Sequence, residues 1–446
     1  LIGPRDDWDE IARITGDADW GWKNAQRRFK SLETYHVGEG EVPSGSRKYL
    51  KPKKEDHGYA GPLHIGFEQQ WDQHVNNNMD IWAANGYKLN RDIGSGNPLG
   101  FAVSPKTVHH GARTTADDLL YPTPSNLQIR TNSPVNRIVF EGKKAVGVAL
   151  RGGCVLRARK VVILSAGALD TPRILMHSGV GPADQLSRFG IESLVENAQV
   201  GQNYSDHYHV VLKFGRAERS SNIGFFRDKA RQAVSLREWR LFRTGDYTRL
   251  GTAMNIGFFK SDAVLKSKEF NDLPATEKAR LRQPTIPTFE VVMAGIVPEY
   301  YSATEATPPM MNVFVFAQNS QGRGSVTLAS SDPSVPLDFN PAFVQHPYDK
   351  RVIVEATREV LKVTKSKAFL KDAHESLSII EAPISDSEDD ILNFWRNTTG
   401  STWHMSGTTQ MGCRDDPKAV VDPQLKVNGV TGLRVADLGI MPIIAR

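Results

Sequence analysis

The chain has 446 residues, 55 Lys and Arg against 50 Asp and Glu, and a formal net charge of +5. Its 39% hydrophobic and 24% charged content is that of a folded globular protein and excludes a disordered or fibrous chain. The mild charge, with no clustered basic stripe, argues against nucleic acid as a partner, two cysteines cannot build a disulfide framework or a four-thiolate metal centre, and no apolar run reaches the length of a membrane span.

In chain order, Asp6-Asp7-Trp8-Asp9-Glu10 places acids in a first helical turn. Trp8, Ile11 and Ile14 follow near helical spacing until Gly16-Asp17 breaks the pattern. Trp20, Trp22, Phe29 and Leu32 predict a second helix with an aromatic, core-facing side. Residues 36–66 are rich in Gly, Pro, Lys and Ser and predict irregular chain. A helix is expected from Phe67 to Ala84, loop from Pro98 to His110, and a short helix from Thr115 to Leu120.

Three short strands are predicted at Leu127–Thr131, Val135–Phe140 and Ala145–Leu150, with a hairpin turn at Glu141-Gly142-Lys143-Lys144. The run from Lys160 to Ala168 is continuously apolar and ends in small residues. Such a run predicts a buried parallel strand whose end lets a ligand approach the backbone. Thr171 is the expected N-cap, and Pro172 the first turn, of the helix that follows. Ala230, Ala233, Val234 and Leu241 predict an amphipathic helix with a solvated arginine face. Strands are expected at Thr288–Met293, Met311–Ala317 and Ser325–Leu328, and a helix at Tyr348–Thr364.

Of the twelve histidines, none forms a metal-type pair such as HExxH, so no metal is expected among the site residues. His109-His110 are loop neighbours that need not point together. His404 lies among small, hydroxyl and aromatic residues in Ser401–Gly412, with Trp403 as a planar apolar neighbour. An imidazole in that setting is suited to taking a proton near neutral pH. There is no GxSxG or P-loop motif, and Gly38-Glu39-Gly40 lacks the preceding strand and third glycine of a dinucleotide fingerprint.

Four stretches then carry a resemblance. They are Gly167-Ala168-Leu169-Asp170-Thr171-Pro172-Arg173-Ile174-Leu175-Met176-His177-Ser178-Gly179-Val180-Gly181, Val200–His207, Arg323–Val326 with Asp338–Pro341, and Trp403–Thr408 with Gly432–Pro442. Taken in order, they resemble the FAD-dependent glucose–methanol–choline (GMC) oxidoreductases. The resemblance implies a mixed α/β and α+β fold, in which a discontinuous, Rossmann-like FAD-binding domain holds an inserted substrate domain on a large antiparallel sheet. The segments it implies are 1–66 (FAD-domain-associated helices and lid region), 67–110 (substrate domain), 111–207 (FAD domain), 208–400 (substrate domain) and 401–446 (return to the FAD domain with the catalytic His).

It further implies oxidation of a small-molecule alcohol to a carbonyl, by hydride transfer to flavin N5, with oxygen or another electron acceptor regenerating FAD. His404 takes the place of the family's general base and Trp403 that of an aromatic substrate-side residue. Val135, Ala166, Gly167, Ala436 and Asp437 fall where family members meet the cofactor. The family's opening strand–GxGxxG–helix unit has no counterpart here, and its second catalytic residue is expected just beyond Arg446. The sequence therefore reads as a portion of such an enzyme, expected to bind FAD weakly or not at all. The alternatives are a non-catalytic remnant, or a flavin-containing hydroxynitrile lyase of the same fold.

Overall fold

The computed structural model describes residues 2–37, 42–68, 70–248, 255–295, 304, 306–374 and 378–444. Gly38-Glu39-Gly40 and Ala445-Arg446 lie outside the described residues.

Two N-terminal helices form, but the second starts after Trp20, its buried residue is Ala25, and Leu32, expected on a core-facing side, is exposed. Arg5–Thr15 carries Asp6 and Asp7 in its first turn and stops at Gly16, which adopts the left-handed conformation (φ 68°) that glycine tolerates best. Trp22–Leu32 follows, and Trp8 meets Phe29 edge to face at 5.6 Å. The next stretch is less irregular than composition predicts. Glu33–Tyr35 and Leu63–Ile65 pair in parallel, and strands occupy Gly100–Val103 and Val108–His109 where loop is expected. The helix expected from Phe67 is Gln73–Ala84, starting after Asp72.

His57 ties this region together. Its Nε2 lies 3.0 Å from Asp92 and its Nδ1 3.3 Å from Glu33, and Tyr35 stacks on the ring at 3.9 Å. Burial opposes the charged form, but hydrogen bonds to Asp92 and then Glu33 outweigh it and raise the imidazole to about 9.

The largest core surrounds a five-stranded antiparallel sheet. Its strand order is Asn255–Phe259, Phe289–Ala294, Met310–Ala317, Tyr208–Gly215 and Gly400–Ser401. The helix Pro347–Thr364, with Pro in its first turn and the His346 side chain accepting from the Tyr348 N–H, lays Val352, Ile353, Ala356 and Val360 into that core. Burying such a face is the main source of helix stability in a folded protein. Trp395 closes the layer by donating from its indole to Thr357 Oγ1 at 2.9 Å.

A second core lies around the helix Gly167–His177 and the parallel pair Val162–Leu164 with Leu433–Val435. Beside them is an antiparallel sheet of Val135–Glu141, Lys144–Leu150 and Val155–Arg157.

Several expectations are corrected. No strand forms at Leu127–Thr131, where the backbone has no pairing partner and the residues are exposed. The run 160–168 is not buried on both faces: Val162 and Leu164 point into the core, while Ile163 is 55% exposed. The arginine-rich helix exists as Lys229–Phe242, but Val234, Leu241 and Phe242 face solvent and Ser235 is its buried residue. Both cysteines are free and exposed.

The His57 pair of contacts makes stability pH-dependent. A raised folded-state value means that the contribution is complete below the ordinary imidazole range near 6.5 and fades as pH climbs through 9. His57→Gln is expected to cost on the order of 3 kcal/mol at pH 6 and progressively less towards pH 9.5. Denaturant melts of both proteins across that range provide the check.

Candidate active site

The Gly167–His177 helix does not begin where Thr171-Pro172 predicts. Its first residue is Gly167 and its N-cap is Ala166, so Pro172 lies within the helix. Proline has no N–H, which deprives the Ala168 carbonyl four residues earlier of its helical donor. The Thr408 hydroxyl supplies the replacement, donating to Ala168 O at 2.6 Å. Thr171 is free to act elsewhere. Its hydroxyl accepts from the Ala166 N–H at 3.1 Å and donates to Asp437 Oδ2 at 2.6 Å. The same carboxylate oxygen accepts from the Gly167 N–H at 3.0 Å, and Asp437 Oδ1 accepts from the Gly439 N–H at 2.8 Å. Three distant segments, around residues 167, 408 and 437, are thus joined at one helix N-terminus.

The His404 segment is zipped on both sides to the start of a central strand. Ser401 and Gly400 pair with Tyr208 and His209. Past His404, Ser406 and Ser205 exchange backbone hydrogen bonds at 2.9 and 3.0 Å. Between these anchors Asp206 accepts from the Ser401 hydroxyl at 2.5 Å and from the His404 backbone N–H at 3.0 Å. The zipper brings His404 Nδ1 to 3.1 Å from His207 Nδ1.

Flanking positions are backbone-constrained. Trp403 has φ 59°, and Gly407 has φ 87° with the Asn203 carbonyl 2.4 Å from where a Cβ would stand. Only glycine fits that approach.

His404 is exposed to solvent yet packs against His207. Burial holds its pKa below the usual imidazole value, partly offset by the Asp206 charge. His209, on the adjoining strand, is lowered to about 4 by burial and by His404. A small cleft is lined by Ser205, Asp206, His207, Arg280, Arg323 and Ile444.

The other expected residues separate into two groups. Val135 and Ala166 line one open cleft of about 470 Å³, together with Val148, Ala158, Ile163 and Ile174. Gly167 adjoins it at φ 82°, with open space where a Cβ would be. Ala436 donates its N–H to Leu164 O at the carboxyl end of the parallel pair, and Asp437 performs the stitching described above. Trp403 is 72% exposed and stands outside both clefts' linings. Asp206 and His207 were visible only as part of the Val200–His207 motif. Their closeness to His404 depends on a pairing between segments nearly two hundred residues apart, which spacing cannot reveal.

Family models described as GMC oxidoreductase match residues 2–209 and 320–446. The oxygen-dependent choline dehydrogenase of Brucella ovis is 31% identical over 442 residues, covering 96% of this chain and 72% of that protein. The chain belongs to the GMC oxidoreductase family. Its structure superposes on a formate oxidase from Aspergillus oryzae with a TM-score of 0.87 and 25% identity, over 99% of this chain and 78% of that one. A fungal aryl-alcohol oxidase shares the fold with a TM-score of 0.82 at 21% identity, over 99% and 80% of the two chains.

GMC oxidoreductases are FAD-dependent enzymes acting on CH–OH groups. The cleft of about 470 Å³ fits part of such a cofactor: its lining is mostly apolar, and it lies beside the carboxyl end of Val162–Leu164, where α/β sheets hold nucleotides. Among the described residues no helix is long and apolar enough to cross a membrane.

The stitch at Ala168 is testable by a double-mutant cycle. Thr408→Val leaves a buried carbonyl without a donor and is expected to cost about 1–3 kcal/mol. Pro172→Ala restores an N–H to the helix, so in that background the Thr408→Val cost should fall by at least half. Urea unfolding midpoints of the four proteins give the coupling.

Proposed function

We propose that this GMC oxidoreductase oxidises a small-molecule alcohol with His404 as the general base. The supporting observation is the Nδ1–Nδ1 contact of 3.1 Å between His404 and His207. One of the two nitrogens must carry the hydrogen and the other the lone pair. If His404 Nδ1 carries it and donates to His207, then His404 Nε2 is an unprotonated acceptor. That is the nitrogen left to face a substrate hydroxyl. His207 thereby acts as a positioning residue that selects the His404 tautomer.

The lowered His404 pKa serves this role, because the ring is neutral across the neutral pH range. Asp206 holds the His404 backbone and accepts from Ser401, which fixes where the ring emerges. Removing the hydroxyl proton raises electron density at the alcohol carbon and makes it a hydride donor. A base held in place is worth roughly 10²–10⁴-fold in rate.

FAD supplies the hydride acceptor when bound. Val135, Ala166 and the Gly167 backbone would hold its nucleotide portion in the open cleft, and Ala436 and Asp437 would fix the strand ends beneath it. Trp403, exposed and adjacent in sequence to His404, would cover the substrate side in this reading. Oxygen or another electron acceptor would be the second substrate.

The expected behaviour is specific. Anaerobic mixing of FAD-loaded protein with a panel of primary alcohols should bleach the flavin absorbance. His404→Ala should slow bleaching by about 10²-fold or more with flavin content unchanged; an unaltered rate removes His404 from the mechanism. Because the base works unprotonated, the rate should rise with pH through an apparent value below 6.5 and then level. His207→Asn should change that pH profile more than it changes alcohol affinity.

A further inference from the structure

Three histidines that no sequence motif links converge elsewhere in the chain. His36 follows the strand Glu33–Tyr35, His64 lies in the strand Leu63–Ile65, and His109 lies in Val108–His109. His36 Nε2 is 2.8 Å from His64 Nδ1. The His36 and His109 rings stack at 3.5 Å. One ligand nitrogen from each ring lies within 4.8 Å of the other two. We propose that His36, His64 and His109 form a binding site for a first-row divalent cation of the zinc type, separate from the His404 site.

The backbone is already set for this. The parallel pairing of Glu33–Tyr35 with Leu63–Ile65 continues as the His36 N–H donates to Ile65 O at 2.7 Å. Thr114 clamps His64, its hydroxyl accepting from the His64 N–H at 3.1 Å and donating to its carbonyl at 2.8 Å. Gly66 and Lys106 exchange backbone hydrogen bonds, which holds the His109 hairpin against the same strands.

The spacing brackets what a metal needs. With Zn–N bonds of about 2.0–2.1 Å, two ligands of a tetrahedral ion stand roughly 3.3 Å apart. The measured 2.8 Å between His36 and His64 falls slightly short of that distance, and all three ligand atoms lie within 4.8 Å of one another. The rings are nearly parallel, with interplanar angles of 6° to 14°, so each must turn about its χ2 bond to converge its lone pair. All three are only partly buried and can do so. The hydrogen shared by His36 and His64 moves through solvent to the other nitrogen of its own ring, so two neutral imidazoles become ligands without net proton loss. Three imidazoles with no thiolate favour zinc, copper or nickel over magnesium or calcium, and three ligands leave a fourth position for water.

The probe is zinc chloride alone, titrated by calorimetry into the full chain at pH 7.5, with cobalt(II) as the spectroscopic reporter. One equivalent should bind, and cobalt should give the visible ligand-field bands of a four-coordinate nitrogen site. His64→Ala and His109→Ala should each weaken binding by about 100-fold or more and abolish those bands. Zinc should raise the melting temperature of the wild type and not that of the variants. His36→Gln and His64→Gln keep hydrogen-bonding capacity and serve where an alanine variant is unstable. No binding at millimolar zinc, or equal affinity in folded variants and wild type, overturns the proposal.

Discussion

A proline inside a helix creates the constraint on which the site depends. Pro172 leaves the Ala168 carbonyl without a donor, and the hydroxyl that satisfies it belongs to Thr408. A buried, unpaired carbonyl costs more than an ordinary hydrogen bond gains. Helix Gly167–His177 is therefore stabilised by residue 408 beside it. Asp437 does the same from the other side through Gly167 and Thr171. The helix terminus at Gly167 and the segment that bears His404 are consequently held by one network, not by independent loops.

From that anchor the chain runs back to His404 along the edge of the large sheet. The zipper of residues 400–406 against 205–209 uses backbone hydrogen bonds, so it fixes the main chain whatever the side chains do. Asp206 adds the side-chain contribution, taking the His404 N–H and the Ser401 hydroxyl with its two oxygens. Its charge also moderates the burial that lowers the His404 pKa. One carboxylate therefore sets both the position of the imidazole and part of its basicity.

Much of this was legible in sequence wherever a local rule decides the outcome. The helix Arg5–Thr15 ends where Gly16 supplies a left-handed residue, and Pro347–Thr364 begins where Pro347 suits a first turn. The sheet strands at 289–294 and 310–317 are mostly apolar, interrupted by Glu290 and Asn312, and both are core strands. Local rules failed where a distant partner decides. Glu33–Tyr35 and Leu63–Ile65 become strands by pairing with each other, while Leu127–Thr131 has similar strand character and finds no partner. Thr171-Pro172 has the form of a helix start, yet Thr408 and Asp437 supply what lets the helix begin at Gly167. The Lys229–Phe242 helix shows apolar spacing without a core to receive it. His207 was one letter of a motif until the pairing of 205–209 with 400–406 placed it against His404.

The same network explains why strained backbone flanks His404, the proposed base. A general base must stand within about 2.6–3.2 Å of the proton it takes, so small displacements of its backbone carry large rate costs. Trp403 and Gly407, on either side of His404, both have positive φ. For a tryptophan that conformation is unfavourable in isolation, and it persists because the surrounding hydrogen bonds leave no alternative. The Trp403 N–H is taken by Ser401 Oγ at 3.0 Å, and Gly407 lies tight against the Asn203 carbonyl. Two kinks within five residues turn His404 out of the zipper towards His207 and solvent. A relaxed extended strand would instead alternate its side chains across the sheet and lose the control over which way the imidazole points.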